Sequence, residues 1–149
     1  MAALTLGLVA ATALPGPAAR ADNVYHSAHI ALHPVGAEPL RSGFVENIHA
    51  NGPVIFAHEI YVLNGAEPGT TYQVTLEIFV RDTTCTSSPV PVPTAAITTN
   101  AAGNGRGDAV FRPSDVPAEL RNATHGIIWT VSDSSGIEFR SGCEVVTLD

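Results

Sequence analysis

Three histidines close to the start of the chain are the first residues whose type and spacing could do chemistry. His26, His29 and His33 fall within eight residues of one another. On a helix, His29 and His33 would lie one turn apart on one face, with His26 one turn before His29. Imidazole nitrogens at that spacing could bind a zinc or copper ion, so the three residues form a candidate metal site.

The residues between these histidines favour a strand. Ala28, Ile30 and Leu32 follow the period of two that is expected of a half-buried strand. On a strand, His29 and His33 would share a face but lie about 13 Å apart, at about 3.3 Å per residue. A metal site would then need ligands from other parts of the chain, and a polar terminal strand is the simpler interpretation.

Two further histidines lie in segments with a clear pattern. His58 has the same parity as Phe56 and Ile60 within an apolar run, which predicts a hydrogen-bonded histidine in the core. His58 or His49 could alternatively complete a metal site with one of the first three histidines. His125 precedes a glycine at the start of a predicted strand, where an ordinary turn residue is expected.

Motifs that orient a nucleophile or hold a phosphate are absent from the sequence. It contains no Gly-x-Ser-x-Gly, no His-Glu-x-x-His and no phosphate-binding glycine loop. Its fourteen Asp and Glu residues offer many carboxylate pairs, but their separation depends on the fold. We therefore expect a protein without catalytic residues or a cofactor. A histidine-based metal-binding protein or metal-dependent enzyme is the alternative.

A loop rich in glycine and asparagine is predicted from Asn100 to Asp108. It contains Arg106-Gly107-Asp108, which resembles the tripeptide that integrin receptors read, although a match of three residues is a weak motif. The candidate contact residues in this loop are Asn100, Asn104, Arg106 and Asp108. A second candidate contact loop covers residues 81–88.

Two cysteines, Cys85 and Cys143, complete the set of reactive side chains. An even pair in a small domain outside the cell predicts a disulfide. A zinc site is not indicated, because the sequence has no Cys-x-x-Cys and no second pair of cysteines.

Residues 1–21 have the composition of a signal peptide. An apolar run is followed by Pro-Gly-Pro at residues 15–17 and by a small-x-small pattern at residues 19–21. The run is shorter than the roughly 20 residues that a membrane-spanning helix needs. We expect residues 22–149 to form a single exported domain with no membrane span, and a buried N-terminal helix is the alternative.

The charge balance limits the possible partners. The chain has seven Arg, no Lys and fourteen acidic residues, for a net charge of −7, and charged residues make up only 14% of it. Nucleic-acid binding is not expected, because it depends on clustered cations. An extracellular protein or a glycan is the expected partner class.

The elements that must position these residues are strands. Thr71–Val80 shows the cleanest alternation, and the prolines at 89, 91 and 93 predict an edge strand or an extended segment. Turn residues at 133–136 predict a hairpin whose second strand carries Cys143. One turn of helix could form within residues 114–120. The predicted strands lie within residues 25–33, 54–63, 71–80, 97–99, 109–112, 127–132 and 137–148.

Two resemblances add to this pattern. Residues 68–74, Pro-Gly-Thr-Thr-Tyr-Gln-Val, resemble the Pro-Gly-Thr-x-Tyr-x-Val of fibronectin type III domains, where the tyrosine locks a corner of the sandwich. From residue 52 onward the chain resembles small secreted β-sandwich proteins of high-GC actinobacteria. The residues that carry this second resemblance are Val54-Ile55-Phe56-Ala57, Thr99-Asn100-Ala101-Ala102-Gly103, Gly142-Cys143-Glu144 and the tyrosine motif.

These resemblances imply an antiparallel two-sheet immunoglobulin-like β-sandwich and bring no catalytic residues with them. Together with the pattern of about seven strands, they predict an all-β domain held by one disulfide. We expect a secreted, non-enzymatic binding or structural module.

Overall fold

The computed structural model describes residues 26–49 and 57–148, which form nine antiparallel strands and two 3-10 turns. The strands are β1 (His26–Pro34), β2 (Ser42–His49), β3 (Ala57–Asn64), β4 (Thr71–Phe79), β5 (Val90–Thr98), β6 (Gly105–Phe111), β7 (Ala123–Ser132), β8 (Ile137–Arg140) and β9 (Glu144–Leu148). The 3-10 turns are Pro113–Asp115 and Ala118–Leu120. The predicted signal peptide and residues 54–56 of the actinobacterial resemblance lie outside the described residues.

The strands follow one another in a nearly closed, barrel-like sheet. Their order is β5-β4-β7-β8-β1-β2-β3-β6, and β9 pairs with β7. β1 joins the two halves, because residues 26–32 pair with β2 while only His33 and Pro34 pair with β8. The all-β antiparallel prediction is confirmed, and the two-sheet immunoglobulin-like arrangement stays a prediction. Among the described residues, no helix has the length and hydropathy of a membrane span.

Two glycines let the end strands β5 and β6 approach each other closely, although no ladder of backbone hydrogen bonds joins the two strands. A Cβ atom on Gly105 would lie 2.6 Å from Ile97 Cγ2, and one on Gly107 would lie 3.1 Å from the Ala96 carbonyl oxygen. Glycine in a strand commonly marks such a close approach.

The loop predicted from Asn100 to Asp108 is shorter than expected, because strand β6 already begins at Gly105.

The number of strands also differs from the prediction of about seven. β2 was not anticipated, because its inward positions include Gly43 and Asn47 while Phe44 and Ile48 point outward, which hides the alternation. The segment predicted as one strand from residue 137 to residue 148 is divided into β8 and β9. The predicted antiparallel hairpin forms between β7 and β8, but Cys143 lies between β8 and β9 and not on the second strand of that hairpin.

Other local predictions are confirmed in whole or in part. Tyr72, Val74, Leu76 and Ile78 of β4 are buried, as the alternation required, but Val80, predicted on the same face, is exposed because β4 ends at Phe79. The proline-rich strand β5 stands at one end of the sheet order, where a missing backbone N–H costs no ladder bond. The helical turn predicted within residues 114–120 appears as the two 3-10 turns. The largest fully buried side chains include Trp129, Tyr61, Tyr72, Phe139, Leu63, Ile97 and Ile127.

The predicted disulfide between Cys85 and Cys143 is present, with the two Cα atoms 6.0 Å apart. It joins the β4–β5 loop to the junction of β8 and β9. Gly126 of β7 lies directly beneath it, and its backbone N–H donates to the Asp82 carbonyl oxygen at 3.0 Å.

We expect Gly126→Ala to destabilise the protein by about 1–3 kcal/mol, because the added methyl group has no space. Its Cβ would lie 2.4 Å from the Asp82 carbonyl oxygen and 2.6 Å from the Cys85 sulfur. Gly142→Ala is the matched control, because its Cβ would meet no atom closer than 3.8 Å. Urea unfolding followed by the fluorescence of Trp129, the only tryptophan, compares the variants. Equal unfolding midpoints for both variants would contradict the crowding argument.

Candidate functional site

The N-terminal histidines lie on a strand, as the alternation predicted. The exposed His29 has its Nδ1 3.0 Å from Glu46 Oε2 and its ring 4.4 Å from that of Phe44. His33 is also exposed, and the side chain of His26 lies outside the described part of the structure. Within residues 27–49 and 57–148, no group of three His, Cys, Asp or Glu side chains is placed to hold a metal ion. The three-histidine metal site stays a prediction.

The predictions for His58 and His125 were both wrong. His58 points outward, with 36% of its side chain exposed and its Nε2 3.5 Å from Asp108 Oδ2. His125 is fully buried, accepts a hydrogen bond at Nδ1 from the Arg81 N–H and donates from Nε2 to the Leu120 carbonyl. His125 is thus the hydrogen-bonded core histidine, and the two faces of β3 are the reverse of those expected.

The β4–β5 loop, which covers the predicted contact residues 81–88, uses its polar groups internally. Asp82 accepts hydrogen bonds from the Thr84 hydroxyl and from the backbone N–H groups of Thr84, Thr86 and Ser87. These hydrogen bonds, led by that of the Thr84 hydroxyl, lower the pKa of Asp82. The disulfide at Cys85 constrains the same loop, so its geometry indicates a structural role.

The other predicted contact residues are divided between a turn and a strand. Asn100 accepts hydrogen bonds from the N–H groups of Ala102 and Asn104, and Asn104 accepts one from Gly65. Arg106 and Asp108 lie on β6 with exposed side chains, paired in register with Val62 and Ile60 of β3. The Arg-Gly-Asp tripeptide therefore lies on strand β6 and not at the tip of a loop.

The Glu59 cluster, formed by Asn47, Glu59, Tyr61 and Trp129, is the most unusual polar arrangement in the interior. Glu59 is only 2% exposed. Its Oε2 accepts hydrogen bonds from the Tyr61 hydroxyl at 2.5 Å and from Trp129 Nε1 at 2.9 Å. Asn47, its cross-strand neighbour, donates from Nδ2 to Oε1 at 3.5 Å, at the limit of a hydrogen bond. The Tyr61 hydroxyl also contacts Thr94 Oγ1 at 2.9 Å.

Burial changes the proton affinity of this cluster. Desolvation raises the pKa of Glu59 from 4.5 to about 7, although the hydrogen bonds from Tyr61 and Trp129 act in the opposite direction. Burial, followed by the neighbouring Glu59 carboxyl, also raises the pKa of Tyr61. All the residues that hydrogen-bond to Glu59 in the described structure are neutral, so its charged form has no cation to offset it.

Two acceptor atoms of the cluster are left with unused capacity. Within residues 26–49 and 57–148, Glu59 Oε1 receives only the long hydrogen bond from Asn47, and the buried Asn47 Oδ1 has no hydrogen-bond partner. A buried polar atom without a partner costs about 1–3 kcal/mol. Such an atom therefore calls for an explanation.

A cavity of about 120 Å³ lies against the cluster, with Asn47 and Glu59 in its wall. The rest of the wall is mostly apolar, from strands of both halves of the sheet and from the 3-10 turns. These wall residues include Leu76, Ile78, Val92, Leu120 and Ile127. The exposed Val90 and Pro117 also line the cavity, so it reaches from the buried carboxyl to the surface. A groove of about 350 Å³ between β1 and β9 shares Asn47, His49 and Val146 with it.

Sequence reasoning did not find Asn47 and Glu59. Glu59 lies in a run whose two faces are both rich in apolar residues, because Ala57, Tyr61 and Leu63 share its parity while Ile60 and Val62 share that of His58. The sequence signal that could have indicated the site was the presence of one acidic residue, Glu59, in this apolar run. Its inward direction follows only from the pairing of β3 with β2 and β6.

Comparisons of the chain with protein-family models, with curated proteins and with solved structures give no significant match.

Proposed function

We propose that the protein is a secreted, non-enzymatic binding module that takes a small, mostly apolar molecule into the cavity beside Glu59. The observation that carries this proposal is the juxtaposition of an apolar cavity and buried, under-used polar acceptors. Small-molecule sites in proteins commonly combine apolar walls with a few polar groups that fix orientation.

Other features support the rest of the proposal. A signal peptide in residues 1–21 and the Cys85–Cys143 disulfide are compatible with secretion into an oxidising compartment. We keep the immunoglobulin-like class as part of the proposal because of the tyrosine motif around Tyr72. Contact of Arg106 and Asp108 with an extracellular protein or a glycan is a separate hypothesis, for which the geometry offers no second observation.

The cavity limits the size of the ligand. A protein cavity of about 150 Å³ lined by apolar side chains accommodates benzene. A cavity of about 120 Å³ therefore suits a compact ring or a short branched chain. The affinity expected for so small a molecule is in the millimolar range, with a Kd of about 1 mM.

We expect cyclopentanol to bind saturably in the cavity, because its ring fits the apolar wall and its hydroxyl can donate one hydrogen bond. Amide chemical shifts and Trp129 fluorescence report the binding, since Trp129 Nε1 donates to Glu59. Val92→Phe should abolish binding by filling the cavity, because Val92 lines it. Ala96→Phe is the control, since Ala96 lies exposed on the same strand and outside the cavity.

Two outcomes would overturn the proposed function. One is the absence of saturable shifts around the cavity in the wild-type protein. The other is unchanged binding by a folded Val92→Phe variant, which would place the cyclopentanol elsewhere.

A further inference from the structure

We infer that the natural ligand of this cavity is a small primary amine, bound as its ammonium ion between Glu59 and Asn47. The inference rests on the proposed function, because it names the ligand class of the same site. It follows from the donors and acceptors of the Glu59 cluster and from the absence of a cation among the described partners of Glu59.

The hydrogen-bonding capacity left in the cluster is mainly that of acceptors. The donors of Tyr61 and Trp129 already donate to Glu59 Oε2. Glu59 Oε1 and Asn47 Oδ1 remain as acceptors, and the second N–H of Asn47 Nδ2 is the remaining donor. A ligand that satisfies both acceptors must bring at least two N–H or O–H donors. An alcohol brings one and an ammonium ion brings three.

The charge of the Glu59 carboxylate distinguishes among the ligands that bring two hydrogen-bond donors. An unpaired carboxylate in the interior is costly, and a cation that reaches it offsets that cost through a charge-assisted hydrogen bond. Water also donates twice, but it leaves the charge of Glu59 unpaired. The apolar walls at Leu76, Ile78 and Ile127 fit the hydrocarbon part of an amine better than they fit water.

The volume of the cavity further limits which amines can bind. A cavity of about 120 Å³ corresponds to about four water molecules, at about 30 Å³ each. It accommodates an amine on a five-membered ring or a short branched chain.

Binding of an ammonium ion should depend on pH, because it requires the carboxylate form of Glu59. With a pKa of about 7, the ionised fraction of Glu59 rises about tenfold from pH 6 to pH 8. Other titratable groups face the site: His49 and Asp115 line the cavity, Tyr61 contacts Glu59, and Glu144 lines the adjoining groove. A variant of Glu59 itself is therefore needed to assign the pH dependence.

The test compares cyclopentylamine with cyclopentanol, two probes of nearly the same shape. At pH 8 the wild-type protein should bind the amine at least about tenfold more tightly than the alcohol. That preference should fall about tenfold at pH 6. Glu59→Gln should reduce the preference to about one at both pH values. Glu46→Gln is the control for charge, because Glu46 lies on the outer face of β2 beside His29 and should keep the wild-type preference.

The outcomes separate the two proposals. If neither probe binds, the proposed function fails. If cyclopentanol binds and the amine is not preferred at pH 8, only the amine inference fails. A preference that survives in Glu59→Gln, or a pH dependence that persists there, would also overturn it and assign the effect to His49 or Asp115. Should Glu59→Gln fail to fold, the pH series of the wild-type protein can still overturn the inference, because a preference that does not fall at pH 6 contradicts it.

Discussion

We expect the free energy of unfolding to fall by about 2–3 kcal/mol between pH 5 and pH 8 because of Glu59 alone. The pKa of Glu59 is about 7 in the folded protein, against 4.5 for an exposed carboxyl. Between these values the folded state binds the proton more tightly than the unfolded state does. The stabilisation is therefore complete below pH 4.5 and is lost as the pH rises through 7.

Glu59→Gln should remove this pH dependence while keeping the fold. The glutamine Oε1 can accept from Tyr61 and Trp129, and its amide nitrogen can donate to Asn47 Oδ1 once the Asn47 amide turns over. The Asn47 Nδ2 then lies where Oδ1 has no partner among the described residues, and this cost is the same at every pH, so it leaves the pH dependence of the variant unaffected. Relative to the wild-type protein, the free energy of unfolding of the variant should rise by about 2–3 kcal/mol between pH 5 and pH 8.

Urea unfolding at several pH values, followed by Trp129 fluorescence, measures the difference between the two proteins. Glu46→Gln is the control, because it removes an acid from the outer face and should keep the wild-type slope. Asp82 and Asp133 have lowered pKa values, so their contributions change in more acidic solution than this comparison uses. Parallel wild-type and Glu59→Gln curves would show that Glu59 keeps an ordinary pKa in the fold.

Loss of the disulfide should have the largest effect on stability. The paired variant Cys85→Ser with Cys143→Ser should lower the free energy of unfolding by about 4 kcal/mol, because the bond closes a separation of 58 residues. Typical domains have only about 5–15 kcal/mol of stability, so the variant should be marginally folded.

The disulfide should also affect the binding of a ligand in the cavity. It holds the β4–β5 loop against the start of β9, and Ile78, Val90 and Val146 from these strands line the cavity. We expect a weaker affinity for cyclopentanol after reduction, measured on the wild-type protein with and without a reductant. The paired serine variant, treated in the same way, controls for the reductant because it has no cysteine and therefore no disulfide to lose. A reduced wild-type protein with an unchanged unfolding midpoint would contradict the stabilising role.

Among the residues that the structure describes, no cation hydrogen-bonds to the buried Glu59. Natural cores avoid such a carboxylate unless something compensates. Hydrogen bonds from Tyr61 and Trp129 compensate in part, and protonation of Glu59 near neutral pH does the rest. The stability and the binding experiments therefore test one feature from two sides: the first asks whether the carboxyl is costly to ionise, and the second asks whether an ammonium ion removes that cost.

The sequence by itself determined the features that depend on neighbouring residues or on covalent chemistry. The alternation in Thr71–Val80 is enough to predict a half-buried strand, which the structure places at Thr71–Phe79. The prolines at 89, 91 and 93 are enough to predict an edge strand or an extended segment, and β5 is an end strand. Two cysteines in a chain with no metal-binding spacing leave the disulfide as the simplest pairing. These predictions are confirmed because the physical cause of each lies within a few residues or in a single bond.

Only the tertiary structure decided which face of β3 is inside, and with it the site. Apolar residues occupy both faces of that strand, so its local pattern does not distinguish His58 outside from Glu59 inside. The choice follows from closure of the sheet, where Gly105 and Gly107 let β6 approach β5. Closure places Glu59 among Asn47, Tyr61 and Trp129, which are up to 70 residues away in the chain. Contacts over such separations depend on the pairing of whole strands, and a local pattern with apolar residues on both faces does not specify that pairing.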